Sequence, residues 1–164
     1  MIEQGKTQQA LELVKKSDRE IISSYSILYN TGSDTAAAIL SERQKQLKTG
    51  VNINFSGNFS NLPEDNFDIC VLLNNTIDIA LFGLQGTTSD GNKLIEISAM
   101  CKQGVLHYKI SYPCETAGLF DDLQSSKDDM LKMNILRKLT EKNDGKMDTH
   151  FENQVASITV RYIF

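Results

Sequence analysis

Three observations predict an α/β sandwich of the α+β kind, a mixed sheet with helices on one face. Hydrophobic periodicity along the 164 residues runs helix, helix, strand, helix, hairpin, helix, hairpin. The later strands arrive as close hairpins, which excludes a doubly wound parallel sheet, where strands and helices alternate throughout. No Rossmann or P-loop glycine pattern occurs.

From Thr7 to Leu28 the apolar residues Ala10, Leu13, Val14, Ile21, Ile22, Tyr25 and Leu28 return every three or four positions, the signature of an amphipathic helix. Asn30 to Ser33 interrupts it. Ser33 or Asp34 can cap a second helix, Thr35 to Lys48, and Gly50 is placed to end it, so the two helices form a hairpin leading into the sheet. Val51, Ile53 and Phe55 alternate with Asn52, Asn54 and Ser56, as in a strand with one wet face. Asn66 to Leu84 is apolar over too many residues for a strand; Cys70, Leu73, Ile77, Ala80, Leu81 and Leu84 fall at helical spacing, so it reads as a buried helix. After a turn-rich link, Ile95, Ile97, Ala99 and Cys101 line one face of a strand that turns at Gln103-Gly104 into Val105 to Tyr112, ended by Pro113. Asp128 or Asp129 can cap a helix carrying Leu131, Ile135, Leu136 and Leu139, closed by Gly145. Two strands, Lys146 to Glu152 and Val155 to Phe164, make the last hairpin.

Composition narrows the partners. One domain of this size with 40% hydrophobic residues can close a core without disulfides or metal. A net charge of -4 argues against nucleic acid, whose phosphates need clustered Lys and Arg. Cys70, Cys101 and Cys114 are an odd number with no CxxC pair, which points to a reducing, cytoplasmic compartment. No apolar run approaches the roughly 20 residues of a membrane span, and the start lacks signal-peptide order. The opening in mid-helix composition leaves room for an interior piece of a longer protein, in which any membrane contact would be made through segments upstream.

Three local matches in this order resemble the ATP-binding domain of GHKL sensor histidine kinases, in particular the peptide-sensing or quorum-sensing subgroup. AILSERQKQLKTGVNINF is similar to the family's helix that ends in a glycine turn before the first strand. LLNNTIDIALFG looks like the helix of the family's N-box, N-x-x-x-N-A-x-E-A. SSKDD followed by LKMNILRKLTEKNDGKM is similar to the T-S-K lid segment, last helix and final hairpin. The likeness spans Gly32 to the C-terminus and implies a Bergerat-like ATPase fold, with residues 1–31 as a linker or dimerisation-type helix.

The resemblance also implies ATP and Mg²⁺, but the residues fit them poorly. Laid on this chain, the two N-box asparagines and the glutamate fall at Asn75, Ile79 and Phe82, and the last two offer Mg²⁺ no oxygen. A shift of one residue selects Asn74 and Asp78 instead, at i and i+4 on one helix face. The plain alternative for Asn74, Asn75 and Asp78 is a solvated helix surface. The family's lid glycines, H-G-x-G-L, fall on Asp129 to Met133, where both are missing, so the backbone cannot approach a triphosphate as closely. Ser126 and Lys127 could still reach a phosphate, although an exposed lysine on an acidic chain is more often a solvated charge. The D-x-G-x-G box is absent as well, its place falling near Tyr112.

No other chemistry is spelled out. The first helix carries no phosphoacceptor histidine; His107 and His150 fall in strands with no carboxylate pattern, Cys70 and Cys101 fall on core faces, and no Ser-His-acid motif is present. We therefore expect a histidine-kinase ATPase-like domain of two-component signalling that holds ATP and Mg²⁺ weakly or not at all. It would act by conformational docking, as a homodimer through its upstream helices and with a possible response regulator. The rival readings are an active kinase domain using Asn74 or Asn75, Asp78 and Lys127, and a stand-alone partner-binding module.

Overall fold

The computed structural model describes residues 29–62, 67–87, 91–115 and 127–164, the side chains of Asp129 and Met130 excepted. The expected helix from Thr7 to Leu28 lies outside them, as do Ser125 and Ser126. Eight elements follow: α1 (Asp34–Gln46), β1 (Val51–Asn58), α2 (Phe67–Gln85), β2 (Lys93–Lys102), β3 (Val105–Pro113), α3 (Lys127–Lys142), β4 (Lys146–Glu152) and β5 (Val155–Ile163).

The five strands form one sheet in the order β1-β2-β3-β5-β4. β1 runs parallel to β2, and every other neighbouring pair is antiparallel. Alternation along the strands separates two faces. Ile53, Ile95, Ile97, Ala99, Leu106, Tyr108, Ile110, Tyr112, Ala156, Ile158, Val160 and Tyr162 are buried beneath the helices; Glu96, Ser98, Met100, His107, Lys109, Thr159 and Arg161 stand exposed on the other side. This is the mixed sheet with helices on one face that the periodicity predicts.

Local chemistry fixes the element ends. Ser33 caps α1, its Oγ accepting from the Ala36 N–H, and so satisfies a donor the helix itself cannot. Both tight hairpins turn through two left-handed residues, Gln103-Gly104 and Asn153-Gln154, the twist that matches antiparallel strands. At the end of α3 the left-handed residue is Asp144, not Gly145. Gly145 is there for space, because a Cβ would stand 2.2 Å from the Arg161 carbonyl oxygen. α3 starts at Lys127, so Asp128 and Asp129 lie in its first turn and do not cap it.

The free edge of β1 is closed by side chains. The Gln44 amide accepts from the Ile53 N–H at 2.7 Å and donates to the Val51 carbonyl, while the Tyr29 hydroxyl donates to the Ile53 carbonyl. An unpaired strand edge is a template for another chain, and here two side chains occupy part of it.

α2 crosses the middle of the sheet, with Ile69, Leu72, Leu73, Ile77, Ile79, Ala80 and Leu84 buried. At 19 residues and a mean hydropathy of 1.5 it is long and apolar enough to cross a membrane, which the sequence reading did not foresee; its apolar side is here spent on the sheet. Cys70 and Cys101, expected in the core, are only half-buried, and Cys114 is the buried thiol. His150 also departs from expectation, with Nε2 3.2 Å from Glu152 Oε2 on the exposed face.

Three tyrosines enter the core from the sheet. Tyr108 shares a 2.7 Å hydrogen bond with Thr76 Oγ1 of α2, and burial pushes its phenol far up. Among the described residues the buried Tyr162 hydroxyl makes no hydrogen bond of good geometry, and desolvation raises it to about 12 against the weaker pull of the nearby Thr140 hydroxyl. A buried hydroxyl without a partner contributes no net stabilisation. Tyr162→Phe should therefore leave the denaturant midpoint unchanged or raise it by up to about 1 kcal/mol equivalent, measured by urea unfolding.

Candidate functional site

The half-buried side of α2 carries Cys70, Val71, Asn74, Asn75, Asp78, Leu81 and Phe82. Ile79 is completely buried, which corrects the register that placed N-box positions at Asn75, Ile79 and Phe82. A residue in the core cannot face a ligand, so its hydrocarbon is demanded by packing and says nothing about lost phosphate chemistry. Setting the pattern's second asparagine at Asn75 puts its polar positions at Val71, Asn75 and Asp78, all half-buried. Its two alanine positions then fall on the fully buried Thr76 and Ile79. Only the first asparagine is lost in this register, and aspartate stands for glutamate. Sequence spacing could not choose the register; burial does.

The structure brings Asn74 and Asp78 together around a cation from its own chain. Arg43 of α1 reaches across with Nε donating to Asn74 Oδ1 at 2.9 Å and Nη2 donating to Asp78 Oδ1 at 2.7 Å and to the Asn74 carbonyl at 3.2 Å. Lys132 of α3 approaches the other oxygen of Asp78 at 3.6 Å. Asp78 is thus the point where three helices meet, with its side chain and that of Arg43 only 30% and 20% exposed. At such burial a charge-assisted fork holds its geometry far better than a surface pair. Nothing in the sequence pointed to Arg43 or Lys132, because their contact with Asp78 is purely tertiary.

Asn75 does not join the cluster. Its Nδ2 donates back to the Val71 carbonyl at 2.8 Å, and Asn74 Nδ2 does the same to Cys70 at 2.9 Å. Asn74, Asn75 and Asp78 are therefore not a merely solvated surface. Beside them, Ala38, Ile39, Glu42, Arg43, Gln46 and Asn74 line a groove of about 480 Å³ between α1 and α2.

Lys127 stands exposed at the start of α3 and has no described contact with α2. The positions matched to the lid glycines, Asp129 to Met133, are helical, in the first turns of α3. Among the described residues no group of three His, Cys, Asp or Glu is arranged to hold a metal ion.

Fold and site together define a class: a mixed five-stranded sheet covered on one face by helices, the second of which carries an outward Asn and Asp. Neither a family model nor a curated protein matches the sequence. Solved structures do. The blue-light activated histidine kinase of Erythrobacter litoralis EL346 aligns over 78% of this chain and 39% of its own, with a TM-score of 0.58 and 14% identity. The catalytic domain of histidine kinase ThkA aligns over 88% and 91%, at 0.51 and 15%. A histidine kinase from Burkholderia phymatum STM815 aligns over 94% and 80%, at 0.54 and 13%. The chain has the fold of a GHKL-type histidine-kinase catalytic domain. It spans about two fifths of the length of the light-activated kinase.

Proposed function

We propose that this chain is an ATPase-like domain of two-component signalling that grips ATP and Mg²⁺ weakly or not at all and acts by docking. The observation that carries this reading is the occupancy of Asp78. The one carboxylate on the outward side of α2 faces the Arg43 guanidinium at 2.7 Å and the Lys132 ammonium at 3.6 Å. A divalent ion would have to displace both, leaving two cations beside it, and like charges that close cost several kcal/mol at low dielectric. Side chains at both lid glycine positions, Met130 and Lys132, support the same reading, since a backbone that carries them cannot come as close to a triphosphate.

A second reading, a working kinase domain, draws support from the register that burial selects, since Asn75 and Asp78 both stay on the outward side. Ser126 and Lys127 would then serve the phosphates. Calorimetric titration with ATP and Mg²⁺ separates the two. No heat and no melting shift at millimolar ATP is the expected result. A Kd tighter than about 100 μM, worth roughly 5.5 kcal/mol, would establish the kinase reading in its place. The cytoplasmic placement, a response regulator as partner and dimerisation through upstream helices belong to both readings.

A further inference from the structure

The sheet face turned away from the helices is polar in its middle and divided in charge along the strands. Cross-strand registers place Lys102 beside Val105 and Ile163 at the end nearest the β2–β3 turn, with Met100, His107, Arg161 and Lys146 in the next row. Lys109 follows in the central row, between Ser98 and Thr159, with Asp148 on the far side of Thr159. At the opposite end lie Glu96 beside Ser111, and the row of Pro113, Val155 and Glu152, with Leu94. One half thus carries Lys102, Arg161 and Lys146, and the other Glu96 and Glu152.

Two features of this face are costly in isolation. Arg161 stands directly opposite Lys146 across β4 and β5, and like charges in that position destabilise a sheet; only Lys146 has a described carboxylate, Asp148 at 3.2 Å. The face also exposes large apolar side chains at both ends: Met100 at 62% and Ile163 at 44% in the basic half, Leu94 at 40% and Val155 at 42% in the acidic half. Four of the seven large hydrophobic residues exposed in the described chain are on this one face. Clustered exposure of that kind marks an interaction surface.

We propose that a second copy of this chain covers the open face, the two sheets packing face to face about a two-fold axis perpendicular to the strands. Of the two in-plane axes a flat sheet allows, one parallel to the strands lays basic half on basic half. The perpendicular axis reverses strand direction between copies and lays Lys102 and Arg161 of each over the end that carries Glu96 and Glu152 of the other. It also brings Val105 and Ile163 over Pro113 and Val155. Toward both ends the interface is self-complementary in charge and in apolar surface, as an isologous contact must be, while the central row, with Lys109 and Asp148, meets its own copy. A uniformly anionic lipid surface does not fit, because the acidic half would be repelled.

Five strands about 4.8 Å apart and roughly 25 Å long offer about 500 Å² per copy, near the lower bound for a specific contact, so the dimer is a weak, concentration-dependent one. It forms whether or not nucleotide binds.

Sedimentation velocity of the full chain, from low micromolar to near millimolar concentration, tests the proposal. The wild type should shift from monomer to dimer, and high salt should weaken the dimer. Lys102→Glu with Arg161→Glu, and separately Glu96→Lys with Glu152→Lys, should each leave a monomer, since each lays like charges over one another at both ends of the contact. Mixed in equal amounts, the two variants should recover the dimer, because both cross-contacts are then opposite in sign. All four positions are exposed, and circular dichroism checks the folding of each variant. If either misfolds, Met100→Asp with Ile163→Asp replaces it and should also be monomeric. A wild type that stays monomeric throughout overturns the proposal, as does a monomer that instead pellets with phosphatidylglycerol vesicles. A dimer indifferent to the substitutions also overturns it, since that is what association through residues 1–28 would give.

Discussion

Gly57→Ala is expected to unfold or nearly unfold the domain, with a loss of about 3 kcal/mol or more in urea denaturation. Gly57 sits in β1 at φ +102, a conformation that costs any L side chain about 1–3 kcal/mol. It also pairs with Ala99 of β2, and a Cβ built on it would stand 1.9 Å from the Ala99 carbonyl oxygen. That atom is backbone and cannot swing aside, so the parallel β1–β2 pair must open. Gly50→Ala is the control. Its φ is +89, but nothing lies within 4 Å of its missing Cβ. It should lose only the conformational part, about 1 kcal/mol. If the two substitutions cost the same, close approach to β2 is not what Gly57 provides.

Much of this fold was legible because sheet and helix periods differ. Val105 to Tyr112 alternates so regularly that inward Leu106, Tyr108, Ile110 and Tyr112 are all found buried. The β1 alternation likewise puts Ile53 inside, and both two-residue turns fall where the polar pairs Gln103-Gly104 and Asn153-Gln154 stand. The candidate site was legible only in part. Asn74, Asn75 and Asp78 could be picked out as polar residues on an apolar helix. Whether position 79 or 78 faces outward turns on a rotation of 100° about the helix axis, which an almost uniformly apolar segment does not fix. Thr76 adds to the ambiguity: it reads as polar, yet it is fully buried because its hydroxyl donates to the Leu72 carbonyl and shares a second hydrogen bond with the Tyr108 hydroxyl. Arg43 and Lys132 were invisible, since their link to Asp78 joins residues 35 and 54 positions apart in a way no local pattern encodes.

Asp68 carries the second large effect, at the other end of α2. Its carboxylate is nearly buried and accepts from the Lys142 ammonium at 2.8 Å and 3.0 Å and from Asn143 Nδ2 at 2.9 Å, tying the start of α2 to the end of α3. Burial alone would raise this acid, but the bonds from Lys142 and Asn143 and the charge of Lys142 outweigh it, so its pKa lies below the ordinary value. The helix N-terminus at which it stands favours the same ionised form. A carboxyl depressed on folding stabilises the native state above its unfolded pKa, near 4, and that contribution is lost as pH falls through the lower folded value. Asp68→Asn keeps the shape and removes the charge. At pH 7 it should cost about 1–3 kcal/mol, the usual worth of hydrogen bonds to a charged group. As pH falls below 4 and on through the lower folded value the difference should shrink, because the wild-type acid then becomes protonated as well. Urea midpoints of both proteins from pH 7 down to about pH 2.5 measure this directly. A gap that stays constant across that range would mean the network owes its strength to packing and not to charge, and that α2 and α3 are held together elsewhere.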